Sequence, residues 1–545
     1  SRPPLPPPIF STTSSSVPPS GPLPLLPLLR RSLHRHPLPL PLLSLFLHSL
    51  LLSKLYSHAR SLLHSLLPLP FSPSSLLHSL SISSLHNPSS ASILADMLLL
   101  ELSKSSLTDS ALESFHRSCD YGYKLSSLSC NPFLNLLIKD GRIEDAERVF
   151  KVMIRRKFAP NVTTFNTLIN GVCKAGKLRR AVDLVEDMKA WGVSPSVVTY
   201  NTLVDGYCKM GGAARMYKAD MVLKEMVKAE VWPNVVTFNT LIDGYCKDGN
   251  SSAAMRIFQE MRKQKVLPNV ISYNSSINGL CGNGKVEEAL QLVKEMEVDG
   301  VVPNVITYNA IVNGFCKKGM LVEAKRIFGE MAERNLVRNE VTYNTLIDGF
   351  CRFGKMEDAM ELKKLMVEDG ICANISTYNC LILGFCRNKD MNGAKRILDE
   401  MGEKGVKADF LTYNVLINAL CKDGEVMKAV KLLDEMIDIG VRPTHVTYNT
   451  LIDGFCQKDN LRAAFNMRAR MEKERKQANV VTYNVLVKCL CRKGKLEEAN
   501  SLLNEMLERG LVPNKITYNI IKEEMMERGY IPNIDGHLCD TASAT

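Results

Sequence analysis

From residue 127 onward, apolar and polar positions recur with a period of 35 residues, and each period holds two stretches with helical spacing. With positions numbered 1 to 35, complete units begin at Ser127, Val162, Val197, Val235, Val270, Val305, Glu340, Ile375, Phe410, His445 and Val480. The third unit is 38 residues long, with three extra residues between Gly211 and Ala219, and a twelfth starting at Lys515 is cut short. The first stretch runs from Ser or Thr at position 3, as in Thr164, Thr199 and Thr237, to Gly at position 15, as in Gly176. Hydroxyl side chains cap helix N-termini and glycine accepts a left-handed stop, so a helix capped at position 3 is predicted. The second stretch carries Ala, an apolar residue and Met at positions 20, 23 and 27, such as Ala254, Ile257 and Met261, or Ala499, Leu502 and Met506. Steps of three and four put these on one face. A Gly and a Pro near positions 31 and 34, as in Gly300 and Pro303, then close the hairpin. A lone hairpin cannot bury both its faces, so stacked neighbours must supply the core. The expected fold class is therefore all-α: a solenoid of stacked helix-turn-helix repeats. In it the Met series is packing, not a copper or haem box.

Upstream, residues 92–126 read as helical and keep Ala111, Phe115 and Gly122 in phase, as a degenerate unit or a cap. Residues 1–95 contain no Asp or Glu, while Arg2, Arg30, Arg31, Arg35, Lys54 and Arg60 are scattered among Ser, Leu, Pro and His. Acid-poor, Ser-rich, Arg-bearing leaders are what organelle import machinery reads. Residues 1–91 are accordingly expected to be a low-complexity targeting leader, with the mitochondrion as destination and the chloroplast as the alternative. The most apolar piece, Leu42 to Leu52, has eleven residues including His48, short of the roughly 18 a membrane span needs.

The formal net charge of +11 is mild for 545 residues and compatible with a polyanionic partner without requiring one. Ten of the sixteen cysteines recur at position 12: Cys173, Cys208, Cys246, Cys281, Cys316, Cys351, Cys386, Cys421, Cys456 and Cys491. Equivalent positions on stacked helices lie roughly 8–10 Å apart, whereas two thiolates on one zinc are only about 4.6 Å apart. They read as small buried hydrophobes in a reducing compartment. No C-x-x-C occurs, and no metal site or cofactor is expected.

The run Val341-Thr342-Tyr343-Asn344-Thr345-Leu346-Ile347-Asp348-Gly349-Phe350-Cys351, repeated in near copies, resembles the pentatricopeptide repeat of the pure P class. The resemblance covers residues 127–533 and implies a right-handed superhelix that binds single-stranded organellar RNA, one repeat to one base, with the RNA's 5′ end at the protein's N-terminal side. In that family the residues at positions 5 and 35 read the base. Position 5 is Asn throughout: Asn131, Asn166, Asn201, Asn239, Asn274, Asn309, Asn344, Asn379, Asn414, Asn449, Asn484 and Asn519. Position 3 already offers a cap, so an amide two places on is surplus to capping, and its donor and acceptor suit a pyrimidine edge. Position 35 holds Asn161, Ser196, Asn234, Asn269, Asn304, Asn339, Asn374, Asp409, Thr444, Asn479 and Asn514. The family pairs Asn with Asp for U and Asn with Ser for C, while Asn with Asn takes either pyrimidine. The implied target is Y-C-Y-Y-Y-Y-Y-U-N-Y-Y, with Thr444 outside the common pairs. Aliphatic residues at position 2, such as Val198, Val236 and Ile271, are the family's wedges between bases. Basic residues at position 13, Lys174, Lys209, Lys247, Lys317, Arg352, Arg387, Lys422 and Arg492, are placed by the resemblance near phosphates.

A protein-binding scaffold of tetratricopeptide type is the alternative, but it calls for a 34-residue period rich in Trp and Tyr landmarks, and the chain has two Trp in all. An enzyme is not expected: His537 and Cys539 stand isolated in the tail 534–545, without the H-x-E and C-x-x-C of a deaminase. The array of eleven units therefore spans 127–514. In 515–533 the sequence joins Ile521 directly to Lys522, as if sixteen residues of a hairpin were missing: either the array ends on a half unit or sequence has been lost. Organellar RNA processing, stability, splicing or translation, with a recruited nuclease or other processing factor, are the functions the resemblance brings, with no membrane and no small-molecule substrate.

Overall fold

Every complete unit forms two antiparallel helices, the first over positions 1–13 or 1–14 and the second from position 17, as in Val162–Lys174 followed by Leu178–Ala190. The computed structural model describes residues 39–67, 72–83, 88–526 and 529, and among these it holds twenty-eight α-helices and no strand. The tail 534–545, the end of the truncated unit and most of the Pro-rich part of the leader lie outside the described residues. No helix of the described residues is long and apolar enough to cross a membrane. The chain divides into two compact bodies, Ser1–Ser275 and Ser276–Thr545.

In the first body the first helix of one unit packs on the first helix of the next, Ser127–Lys139 on Val162–Lys174 and that on Val197–Met210. The small-residue register at positions 10 and 12 allows the approach: a Cβ added at Gly206 would lie 2.7 Å from Cys173 Sγ. The Ala and Met stripe of the second helix is buried, with Ala181, Met188, Ala219 and Met226 fully enclosed. The three extra residues of the third unit lengthen its second helix, Ala213–Lys228, by almost one turn at its N-terminus, so Ala219 and Met226 keep their phase.

The second body repeats the same plan. Its cysteines pack against glycines of the next unit, Cys281 beneath Gly314, Cys316 beneath Gly349 and Cys351 beneath Gly384. Burial pushes the thiols of Cys281, Cys316 and Cys351 up to about 12. Such thiols stay protonated and inert at neutral pH, consistent with a packing role. The last described α-helix, Lys515–Ile520, continues through a π-type turn, Ile521–Met525, in which Ile521 and Met525 are buried.

Two sequence expectations change. Composition makes residues 1–91 a low-complexity leader, and within its described part Leu40–Leu52, Tyr56–Leu66 and Pro73–Ser83 are helices, followed by Pro88–Lys104 and Thr108–Asp120. Leu47, Leu62, Leu77 and Leu94 are fully buried among them. Ser79 donates a hydrogen bond to Ser44 at 3.1 Å, two buried residues one period apart. The repeat thus reaches upstream with Leu and Ser replacing the usual landmarks. The second change concerns the first-helix cap. It is not position 3 but position 35 of the preceding unit: Asn161 accepts from the Thr164 backbone N–H at 3.0 Å, and Thr164 Oγ1 accepts from the Asn161 N–H at 3.1 Å. Position 3 is the third helical residue of a reciprocal capping box, and its side chain is buried.

Candidate nucleic-acid interface

The capping box ties one unit to the next at the side chains assigned to base contact. In the first body the position-3 hydroxyl donates to the position-5 carbonyl of the unit before it: Thr164 to Asn131 at 2.6 Å, Thr199 to Asn166 at 2.7 Å, Thr237 to Asn201 at 2.6 Å and Ser272 to Asn239 at 2.6 Å. The amide nitrogens of Asn131, Asn201 and Asn239 donate to Asn161, Asn234 and Asn269 at 3.1, 3.5 and 3.3 Å. Ser196 caps its helix, accepting from Thr199 N–H at 3.4 Å.

The second body carries the same ladder. Thr377, Thr412, Thr447, Thr482 and Thr517 donate to Asn344, Asn379, Asn414, Asn449 and Asn484 at 2.6–2.9 Å. The amides of Asn344, Asn379, Asn414, Asn449 and Asn484 point at Asn374, Asp409, Thr444, Asn479 and Asn514 at 3.3–3.5 Å. Asn309 is the exception: its amide reaches Asn339 at 3.5 Å, but Thr342 donates to Asn339 at 3.0 Å and the Asn309 carbonyl oxygen is buried without a partner. Asn274 holds position 5 of the helix Val270–Gly282, and Asn304 caps Val305–Lys318. Asn519 is exposed in the last described helix.

Where both bonds are made, this network fixes which way the amide faces. A threonine hydroxyl has one hydrogen and already accepts a backbone N–H, so its proton goes to the nearest acceptor, the Asn carbonyl. The cap at position 35 accepts helix N–H groups and therefore faces an amide N–H. At Asp409, burial pushes the carboxyl up, but hydrogen bonds from Thr412, Asn379 and Leu411 outweigh it and hold it below the usual carboxylate range. Asn379 must then present its nitrogen to Asp409 and its oxygen to Thr412. The second amide hydrogen and the second carbonyl lone pair are left for a ligand. Sequence reasoning singled out positions 5 and 35 as candidates and missed the buried hydroxyl that bonds to them. Its signal was the Ser or Thr at position 3 of all twelve units.

Position 2 lines the same face with exposed aliphatic side chains, including Val198, Val236, Val341, Val446 and Val481. The basic residues of position 13 divide into two sets. Lys209, Lys247 and Arg352 each pair at 2.6 Å with an aspartate one turn back, Asp205, Asp243 and Asp348. Lys174, Lys317 and Lys422 have Asn170, Asn313 and Asn418 at that place, while Arg387 follows Leu383 and Arg492 follows Lys488. The sequence reading treated all eight alike. No group of three or more His, Cys, Asp or Glu able to hold a metal occurs among the described residues.

Matches to the PPR repeat family cover residues 125–174, 160–209, 233–282, 268–317, 303–352, 338–387, 373–422, 408–457, 443–492 and 478–523, and a further PPR repeat match covers 198–231. The chain belongs to the PPR repeat family. A pentatricopeptide repeat-containing protein of Arabidopsis thaliana is 38% identical over 81 residues, which are 15% of this chain and 11% of that relative's length. Among solved structures, the pentatricopeptide repeat protein PPR10 from maize has 23% identity and a TM-score of 0.43, covering 93% of this chain and 92% of that one. PPR10 in complex with an 18-nt psaJ RNA element has 21% identity and a TM-score of 0.41, with 93% and 95% covered.

Proposed function

We propose that this chain binds one segment of single-stranded RNA in register, one base to each unit, and selects a pyrimidine-rich tract without catalysing a reaction itself. The observation that carries the reading is the repeated triad of position-5 Asn, position-35 cap and position-3 hydroxyl, which presents a polarised amide in most units beside exposed aliphatic residues. An oriented amide at a base-sized repeat can meet an unstacked Watson–Crick edge, and the aliphatic residues can pack on base faces. The proposed target is Y-C-Y-Y-Y-Y-Y-U-N-Y-Y, the repeats being of the P class. The acid-free, Arg-bearing residues 1–95 support import into an organelle, the mitochondrion first and the chloroplast second, where the bound RNA would be processed, stabilised, spliced or translated with a recruited nuclease or another factor.

The test is selection of the full chain against a random single-stranded RNA pool. Enrichment of a pyrimidine tract of about eleven bases is expected. Absence of any RNA enrichment, with capture of a discrete protein instead, would favour the tetratricopeptide-like scaffold. Fusion of residues 1–95 to a fluorescent protein tests the address, and cytosolic fluorescence would remove it.

A further inference from the structure

We infer that the unit spanning 92–126, just upstream of the array, holds a base-binding site of its own, with Asp96 as the reading group and guanine as the preferred base; the inference rests on the base-reading proposal above. Residue 96 stands in the register of position 5, 35 residues before Asn131. Ser126 and Ser129 take the places of the cap and the position-3 hydroxyl. Asp96 Oδ1 accepts the Ser126 backbone N–H at 2.7 Å and the Ser129 hydroxyl, and Oδ2 accepts the Ser126 hydroxyl at 2.6 Å. The ladder of the array therefore continues into this unit, with a carboxylate in place of the amide.

Beside Asp96 lies a cavity of ≈ 400 Å³ lined by Tyr56, Arg60, Ile93, Asp96, Lys124 and Leu128, among others. Ile93 and Leu128 are both exposed, both stand at position 2 and both line this cavity with the carboxylate. Two aliphatic walls around a polar floor match a flat base inserted edge first. Arg60, which pairs with Glu101, and Lys124 put positive charge on the rim, where a phosphate would pass.

The chemistry of the floor differs from the rest of the array. Each amide of the array offers an N–H and a lone pair, whereas a carboxylate only accepts. Three hydrogen bonds from Ser126 and Ser129 leave Oδ2 with acceptor capacity to spare. Guanine turns two adjacent donors, N1–H and the N2 amino group, along its Watson–Crick edge. Uracil flanks its one N–H with two carbonyl oxygens that a carboxylate repels.

The experiment measures binding of the full chain to the pyrimidine tract carrying one added nucleotide, G, A, C or U, at the 5′ or the 3′ end. Added 5′-G should bind roughly tenfold tighter than added 5′-U, the size of one charge-assisted hydrogen bond. Asp96→Asn should abolish that ratio while leaving the choice among bases inside the tract intact. Ile93→Ser, an exposed substitution that keeps the hydrogen-bond ladder, should lower the gain from any added base. If no added nucleotide at either end is distinguished while tract selection persists, the site is refuted and the array reading stands. If the tract is not selected but 5′-G still is, pyrimidine choice by the array fails while base reading at this unit survives.

Discussion

Asp409 separates what a side chain does for its own helix from what it does for a ligand, because one carboxylate caps Phe410–Lys422 and also faces the Asn379 amide at 3.5 Å. Serine caps a helix as well as aspartate does, so Asp409→Ser keeps the fold but replaces a pure acceptor with a group that also donates. Preference at the eighth base should move from U toward C, and Asn379→Thr should move it to a purine, each mismatch costing on the order of 1–3 kcal/mol in binding to RNAs that differ only there. Equal binding of all four bases to the unsubstituted chain would make Asn379 a purely structural bridge. Because the folded carboxyl is held below its ordinary range, its contribution to stability is present above that range and lost as pH falls through the lowered value. The U preference should accordingly not change between pH 6 and pH 8. Thr412→Val removes a buried hydroxyl that accepts the Asp409 N–H at 3.2 Å and donates to Asn379 at 2.7 Å. It should cost about 1–3 kcal/mol in denaturant unfolding, with Thr412→Ser restoring most of it. The sequence made Ser or Thr at position 3 visible but not its place in the helix, since a cap and the third residue of a capping box carry the same hydroxyls.

Contact between successive first helices is set by two small residues. A Cβ at Gly349 would sit 2.4 Å from Cys316 Sγ, although alanine is the better helix former by about 1 kcal/mol. Gly349→Ala should therefore destabilise, by about 1–2 kcal/mol net of its propensity gain, and Cys316→Ala in the same chain should recover only the part due to the sulfur, because the Cys316 Cβ would still lie 2.7 Å from the new methyl. A stabilised single variant, measured by thermal melting, would show that the two helices can part without penalty. The recurrence of cysteine at position 12 pointed to packing from sequence alone, because fixed spacing on stacked helices excludes pairing; eight of the ten are buried, while Cys246 and Cys386 are partly exposed. Nothing in the sequence told that glycine at position 10 of the next unit receives it, which only the distance between helices reveals. The upstream helices escaped notice for a different reason. Leu47, Leu62 and Leu77 are core residues, but Ser44 and Ser79 occupy buried sites where the array carries apolar side chains. Ser-rich, acid-free composition signals a leader and hides helical spacing when the buried positions are themselves serine.

Affinity for a polyanion is a property of the whole molecule, and its salt dependence counts the phosphates engaged, about 0.7 in slope for each on a single strand. The eight basic residues at position 13 looked equivalent by periodicity, yet in three units an aspartate at position 9 already holds the charge at 2.6 Å. The hydrogen bond from Lys247 to Asp243 raises the lysine pKa, so this cation stays charged but is partly neutralised before any ligand arrives. An exposed pair of this kind is worth only about 0.3–0.5 kcal/mol, so a phosphate can displace the aspartate, but the aspartate then remains nearby and repels it. Removing the charges at Lys317 and Lys422, whose position-9 neighbours are Asn313 and Asn418, should flatten the slope by about 1.4 units, two phosphates at 0.7 each. Asp243→Asn together with Asp348→Asn should act in the opposite sense, releasing Lys247 and Arg352 to steepen the slope and raise affinity at low salt for every sequence alike. Filter binding of one RNA across a salt series reads both effects. If the aspartate substitutions leave slope and affinity unchanged while the lysine substitutions flatten the slope, phosphates pass only the unneutralised units. If neither pair of substitutions moves the slope, the position-13 cations face away from the strand and serve as partners for the helix C-terminus.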